Sequence, residues 1–102
     1  MKEMDILRSV QLALSEAGAI TWRNNSGCLK DARGVPVRFG IGNPGGSDLI
    51  GIYNGRFCAF EVKTEKGKAS DSQLNFISAI IKNGGIAGVV RSAEDALKLL
   101  SG

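Results

Sequence analysis

The chain has 102 residues, 43% hydrophobic and 23% charged, an ordinary balance for one globular domain with a modest core, here taken as residues 1–102. No apolar run approaches the roughly 20 residues of a membrane span, and no signal-peptide pattern opens the chain. The absence of histidine excludes His-based catalysis and His-ligated zinc, and the two cysteines form neither a disulfide framework nor a metal-ligand spacing.

The net charge of +3 is unevenly spread. Residues 22–40 carry Arg23, Lys30, Arg33 and Arg38 against Asp31; residues 56–68 carry Arg56, Lys63, Lys66 and Lys68 against Glu61 and Glu65. Two basic stretches of this kind suit a polyanionic partner.

In chain order, Ile6, Leu7, Val10, Ala13, Leu14 and Ala17 form the stripe of an amphipathic helix over 3–17, with Gly18 placed to end it. Glu3 and Asp5 sit in its first turn, where an acid suits the helix dipole. Ala19–Arg23 reads as a short strand with Trp22 as a core residue. Asn24-Asn25-Ser26-Gly27 reads as loop, and 28–34 as polar chain. Val35–Phe39 reads as a return strand that Pro36 confines to a sheet edge. Gly40–Gly46, with four glycines and Pro44, must be loop; it offers close approach to a phosphate or simply a flexible connection.

Asn54-Gly55 is a strong hairpin signal between Leu49–Tyr53 and Arg56–Val62, two runs rich in β-branched and aromatic residues. Cys58, in the second run, reads as a small core residue. Ser70–Lys82 reads as a helix stopped by Gly84-Gly85, Ile86–Arg91 as an apolar strand, and Ser92–Leu100 as a last helix. The order α-β-β-β-β-α-β-α predicts an α/β fold: a mixed central sheet flanked by helices on both faces. The hairpin lies at its centre and the strand after the second helix returns parallel to it.

The hairpin register carries the chemistry. A two-residue turn pairs Tyr53 with Arg56 and, counting outward, Asp48 with Glu61. Lys63 shares their face by the period of two. Two carboxylates at a strand end bind a hard cation through oxygen, and Mg²⁺ suits such a sparse protein ligand set best. With Lys63 holding a water or a phosphate oxygen, the set fits hydrolysis of a phosphodiester. An ordinary Asp–Glu repulsion relieved by Lys63 is the alternative, but like charges directly opposed destabilise a strand pair. The assignment depends on Asn54-Gly55 being the turn, since a bulge would remove the partner of Asp48.

Gly-Ser-Asp48, a 12-residue gap and Glu61-Val62-Lys63 resemble the PD-(D/E)XK nuclease motif. With Gly67-Lys68, Ser70, Gln73, Gly85 and Val89-Val90-Arg91-Ser92, the pattern is similar to the virus-type replication-repair nuclease (VRR-NUC) domain. Trp22-Arg23-Asn24-Asn25-Ser26-Gly27 resembles its small, stand-alone phage-type members, and the likeness covers nearly the whole chain. Ser47 departs from it, replacing the usual proline.

The resemblance implies a restriction-endonuclease-like core and a Mg²⁺- or Mn²⁺-dependent DNA endonuclease. Asp48, Glu61 and the Val62 carbonyl would be metal ligands, and Lys63 the catalytic cation. Glu3, or else Asp5, would be the family's first-helix acid, and Gln73 would reach toward the metal-bound water or substrate. Ser70-x-x-Gln73 is equally a capping box, and both roles are compatible. Arg23, Arg38, Arg56, Lys66 and Lys68 are the candidate DNA contacts. The expected substrate is branched DNA such as a four-way junction, cut by a homodimer in the cytoplasm of a bacterial or phage-infected host cell, without membrane or nucleotide cofactor. The alternative is a non-catalytic DNA-binding module that retains the fold.

Overall fold

Asn54 and Gly55 both take positive φ, 50° and 76°, as a type I′ turn requires. A computed structural model describes all of residues 1–102. Its elements are α1 (Glu3–Glu16), β1 (Ile20–Arg23), β2 (Gly27–Lys30), β3 (Pro36–Phe39), β4 (Leu49–Tyr53), β5 (Arg56–Val62), α2 (Asp71–Lys82), β6 (Ile86–Val90) and α3 (Ala93–Ser101). The turn sets the expected register between β4 and β5: Tyr53 faces Arg56 and Leu49 faces Phe60. No bulge interrupts it.

The main sheet has the order β1-β4-β5-β6, with the hairpin at its centre. β1 runs antiparallel to β4, and β6 runs parallel to β5 after the crossover through α2. Both central strands are apolar on both faces, so helices must cover both. Ile6, Leu7, Val10 and Leu14 of α1 and Ala96 of α3 pack on Leu49, Cys58, Phe60, Val62, Ile86 and Val90. On the other face Ile77 of α2 packs on Ile50, Ala59 and Ala87. Cys58 is a buried core residue, as its place in the strand predicted, and burial pushes its thiol up to about 11.

Two sequence expectations are corrected. Six strands form rather than five, because Gly27–Lys30, read as loop and polar chain, is β2. It pairs antiparallel with β3 in a separate two-stranded sheet. The polar residues that hid it build its turn: Asp31 Oδ1 accepts from the Arg33 and Val35 amides at 2.8 and 2.9 Å, and Gly34 supplies a φ of 81°. Trp22 is not a core residue either; it is 45% exposed. It shares the α2 face of the sheet, but β1 is an edge strand that α2, packed on β5 and β6, does not reach. Ile20 and Ile52 are exposed beside it for the same reason. No helix is long and apolar enough to cross a membrane.

Candidate active site

One end of the sheet gathers the start of β4, the ends of β1, β5 and β6, and the first turn of α2. One step beyond the Leu49–Phe60 pair, Asp48 comes beside Glu61. Asp48 Oδ2 accepts a 2.8 Å hydrogen bond from the Val62 amide. Glu61 is the chain's one buried charged residue, 2% exposed. A buried carboxylate is costly unless partnered. Glu61 Oε2 has two partners: Lys63 Nζ at 3.5 Å, and Gln73 Nε2, which donates at 3.1 Å. Glu61 Oε1 is buried and has none. Burial, then the neighbouring Asp48 charge, pushes the Glu61 carboxyl up to about 8, against a smaller opposing pull from Lys63.

The capping box at the start of α2 is complete. Ser70 Oγ accepts from the Gln73 amide at 3.2 Å, and Gln73 Oε1 accepts from the Ser70 amide at 2.8 Å. The same side-chain amide spends its NH₂ on Glu61, so the structural and site contacts of Gln73 coexist. The first turn of α2 is thereby aimed at the two carboxylates.

The loop before Asp48 is held by a residue the sequence reading passed over. The Asn24 amide donates to the Asp48 carbonyl at 2.8 Å. Its side chain donates to the Ser47 and Ile41 carbonyls at 3.1 and 2.8 Å and accepts from the Ile41 amide at 3.0 Å. The glycines that follow Ile41 pack rather than flex. A Cβ on Gly45 would lie 2.3 Å from the Ser72 carbonyl in the first turn of α2, and one on Gly46 would lie 1.9 Å from the Ile41 carbonyl. Asn24 had a signal, an Asn directly after a strand, but loop composition masked it.

Arg91 performs the equivalent task after β5. Its Nη1 donates to the Thr64 and Gly67 carbonyls, each at 2.6 Å, pinning the loop that carries Lys63, Lys66 and Lys68. Lys66 and Lys68 are exposed on this loop. Lys66 lines a cavity of about 520 Å³ with Met1, Ile6, Thr64, Glu65 and Arg91. Arg23 is exposed at the end of β1, next to the start of β4. Arg38 stands on β3.

Two expected site residues make no direct contact with the carboxylate pair, although α1 begins at this end of the sheet, where Met1 and Ile6 line the cavity beside Thr64 and Lys66. Glu3 is exposed in the first turn of α1 and makes no hydrogen bond or ion pair with Asp48, Glu61 or Lys63; no three acidic or thiol side chains converge anywhere. Arg56 lies at the far end of β5, five residues or about 17 Å of strand from Glu61. Its guanidinium donates to the Gly84 and Gly85 carbonyls at 2.8 and 3.3 Å, closing the end of α2.

The donors present suit a hard divalent cation. They are oxygen alone, since Cys58 packs on the opposite face of the sheet, and Glu61 offers a partnerless oxygen. Two carboxylates are what Mg²⁺ or Mn²⁺ accepts when water completes its shell. No protein-family model matches the chain, and no curated protein matches it in sequence.

Proposed function

We propose that the chain is a Mg²⁺- or Mn²⁺-dependent DNA endonuclease with a restriction-endonuclease-like core, as its resemblance to VRR-NUC domains implies. One observation carries the reading. The one buried acidic side chain in the molecule sits at a sheet end, held by Lys63 and Gln73 and set directly against a second carboxyl group, Asp48, so that two acids share one site. Two acids directly opposed cost stability in a strand pair, which favours a bound cation over a purely structural role.

Asp48 and Glu61 would hold the ion, with the Val62 carbonyl as a further ligand. A bound divalent ion lowers the pKa of water and offsets charge on the phosphoryl group. Gln73 fixes the rotamer of Glu61, so the carboxylate is oriented before substrate arrives. Lys63 supplies a compact cation on the same face, placed to hold a phosphate oxygen or an attacking water. Lys66, Lys68 and Arg23 surround this end and supply sequence-independent attraction for the backbone. Arg56 is left out of the interface, its donors being engaged at the opposite end.

A branched substrate and a homodimer belong to the same reading. Ile20 and Trp22 of the edge strand β1, with Ile52 of the neighbouring β4, form an exposed apolar strip, which favours a two-fold partner and hence two sites on one junction. The test is incubation of labelled four-way junction, flap and linear duplex with Mg²⁺ or Mn²⁺. We expect metal-dependent cleavage, fastest on branched DNA and lost in Asp48→Asn and Glu61→Gln. Metal-independent binding without cleavage would instead make the chain a binding module, and neither binding nor cleavage would end the nucleic-acid reading.

A further inference from the structure

The β2–β3 ribbon contributes no residue to either hydrophobic cluster. Two strands alone are marginal in water, yet this pair is firmly built. Asn43 Nδ2 donates to the Gly27 and Phe39 carbonyls, both at 2.7 Å, closing the base of the ribbon. The Phe39 ring lies over Gly27, where a Cβ would come within 2.7 Å of it. Asp31 fixes the turn at the other end.

The register sorts its side chains. Cys28 faces Arg38 and Lys30 faces Pro36, so Lys30 and Arg38 share one face. Gly27, Leu29, Val37 and Phe39 share the other. Arg33 stands at the tip. The only acid nearby, Asp31, is occupied by the turn amides and by Arg33, 3.5 Å away. The chain has two ion pairs, Arg33–Asp31 and Lys63–Glu61, so Lys30 and Arg38 are exposed cations without a partner.

The placement of the ribbon gives that charge a purpose. Its base at Asn43 belongs to the glycine-rich loop that Asn24 ties to Ser47, immediately before Asp48. The base of the ribbon is therefore anchored at the carboxylate end of the sheet. Each strand spans about 13 Å, and a two-stranded ribbon is an element that the major groove of a duplex admits.

We propose that the β2–β3 ribbon is a gripping arm for duplex DNA, its Lys30–Arg38 face set against the phosphates next to the Asp48–Glu61 site. The inference rests on the nuclease reading and adds the surface that holds the substrate. The occupant is a nucleic-acid duplex, because the face is cationic and free of acids. A second copy of the chain would have to use the apolar face instead.

The experiment is a salt titration of binding by fluorescence anisotropy, in metal-free buffer, with a labelled four-way junction and its linear duplex. The double variant Lys30→Ala/Arg38→Ala should bind both more weakly and reduce the log–log salt slope by about 1.8, two phosphate contacts at roughly 0.9 each. Lys82→Ala/Lys98→Ala removes the same charge from the helix surface and should leave the slope unchanged. Thermal melting checks that both variants fold. A wild-type slope in the Lys30/Arg38 variant, or an equal drop in the Lys82/Lys98 variant, overturns the arm. So does a solution dimer that Leu29→Ser/Val37→Ser dissociates while the salt slope keeps its value in the Lys30/Arg38 variant. Wild-type protein that binds no DNA defeats the nuclease reading as well; binding with an unaltered slope defeats the arm alone.

Discussion

The molecule contains two antiparallel hairpins with opposite fates. β4–β5 turns on Asn54-Gly55 and is enclosed by helices on both faces; β2–β3 turns around Asp31 and is exposed almost throughout. Local turn chemistry is sound in both, so turns do not decide which hairpin is buried. The faces do. β4–β5 is apolar on both sides and has to be sandwiched, whereas β2–β3 has one cationic side that no helix could cover without stranding Lys30 and Arg38. The charges follow suit: Glu61 in the enclosed hairpin is desolvated and shifted, while the cations of the ribbon stand in water.

The comparison breaks first at the chemistry. Asp48→Asn or Glu61→Gln should lower metal-dependent cleavage about 10³-fold, equivalent to roughly 4 kcal/mol of lost transition-state stabilisation. Single-turnover rates at saturating protein measure this, and a loss under tenfold would place the chemistry elsewhere. In stability, Phe60→Ala should cost about 3–5 kcal/mol, because Phe60 is wholly buried between β4 and the α1–α3 layer. Leu29→Ala, on a side chain 68% exposed in the ribbon, should stay within about 0.5 kcal/mol. Urea denaturation of the two variants decides whether the hairpins differ as described. Comparable losses would mean the ribbon carries hidden packing.

The third effect is on pH. In the folded chain Glu61 keeps its proton up to about pH 8; unfolded, it releases it near 4.5. Between those values the folded state binds more protons, so stability falls as pH rises through the window. Glu61→Gln should flatten this part of the curve, and Mn²⁺ should recover stability at pH 8 in the wild type by favouring the carboxylate. Parallel pH–stability curves for wild type and variant would show that the enclosed hairpin does not perturb its acid. Asn24→Ala should cost about 1–3 kcal/mol by leaving the Ser47 and Ile41 carbonyls without their donor. Its activity should fall through kcat, with KM for DNA little changed, since Asp48 moves and the cationic surfaces stay. An equal loss on Asn24→Asp, which keeps the acceptor for Ile41 and loses the donor, would assign the effect to the NH₂ group.

Legibility in the sequence followed the range of the interaction. Asn54-Gly55 and Ser70-x-x-Gln73 are local devices, complete within four residues, and the positions of Glu61, Lys63 and α2 followed from them directly. β2 was lost because its strand residues are few and its turn is made by one aspartate side chain. Trp22 was misjudged because nothing local reveals that a strand will be an edge that a helix fails to reach. Arg56 looked like a free cation until the fold brought the end of α2 within its reach, 28 and 29 residues along the chain. Asn24 reaches forward 17 and 23 residues, beyond any periodicity. What stayed hidden was the long-range hydrogen bonding.

Gln73 has a further consequence for motion. One carboxamide closes the first turn of α2 and holds Glu61, so fraying of that helix end and release of the carboxylate are a single opening event. Anything that fastens Glu61 must then slow that opening. Amide hydrogen exchange at Ser70 and Gln73 should therefore report occupancy of the carboxylate pair, turning an ordinary helix cap into a gauge of whether the site is filled.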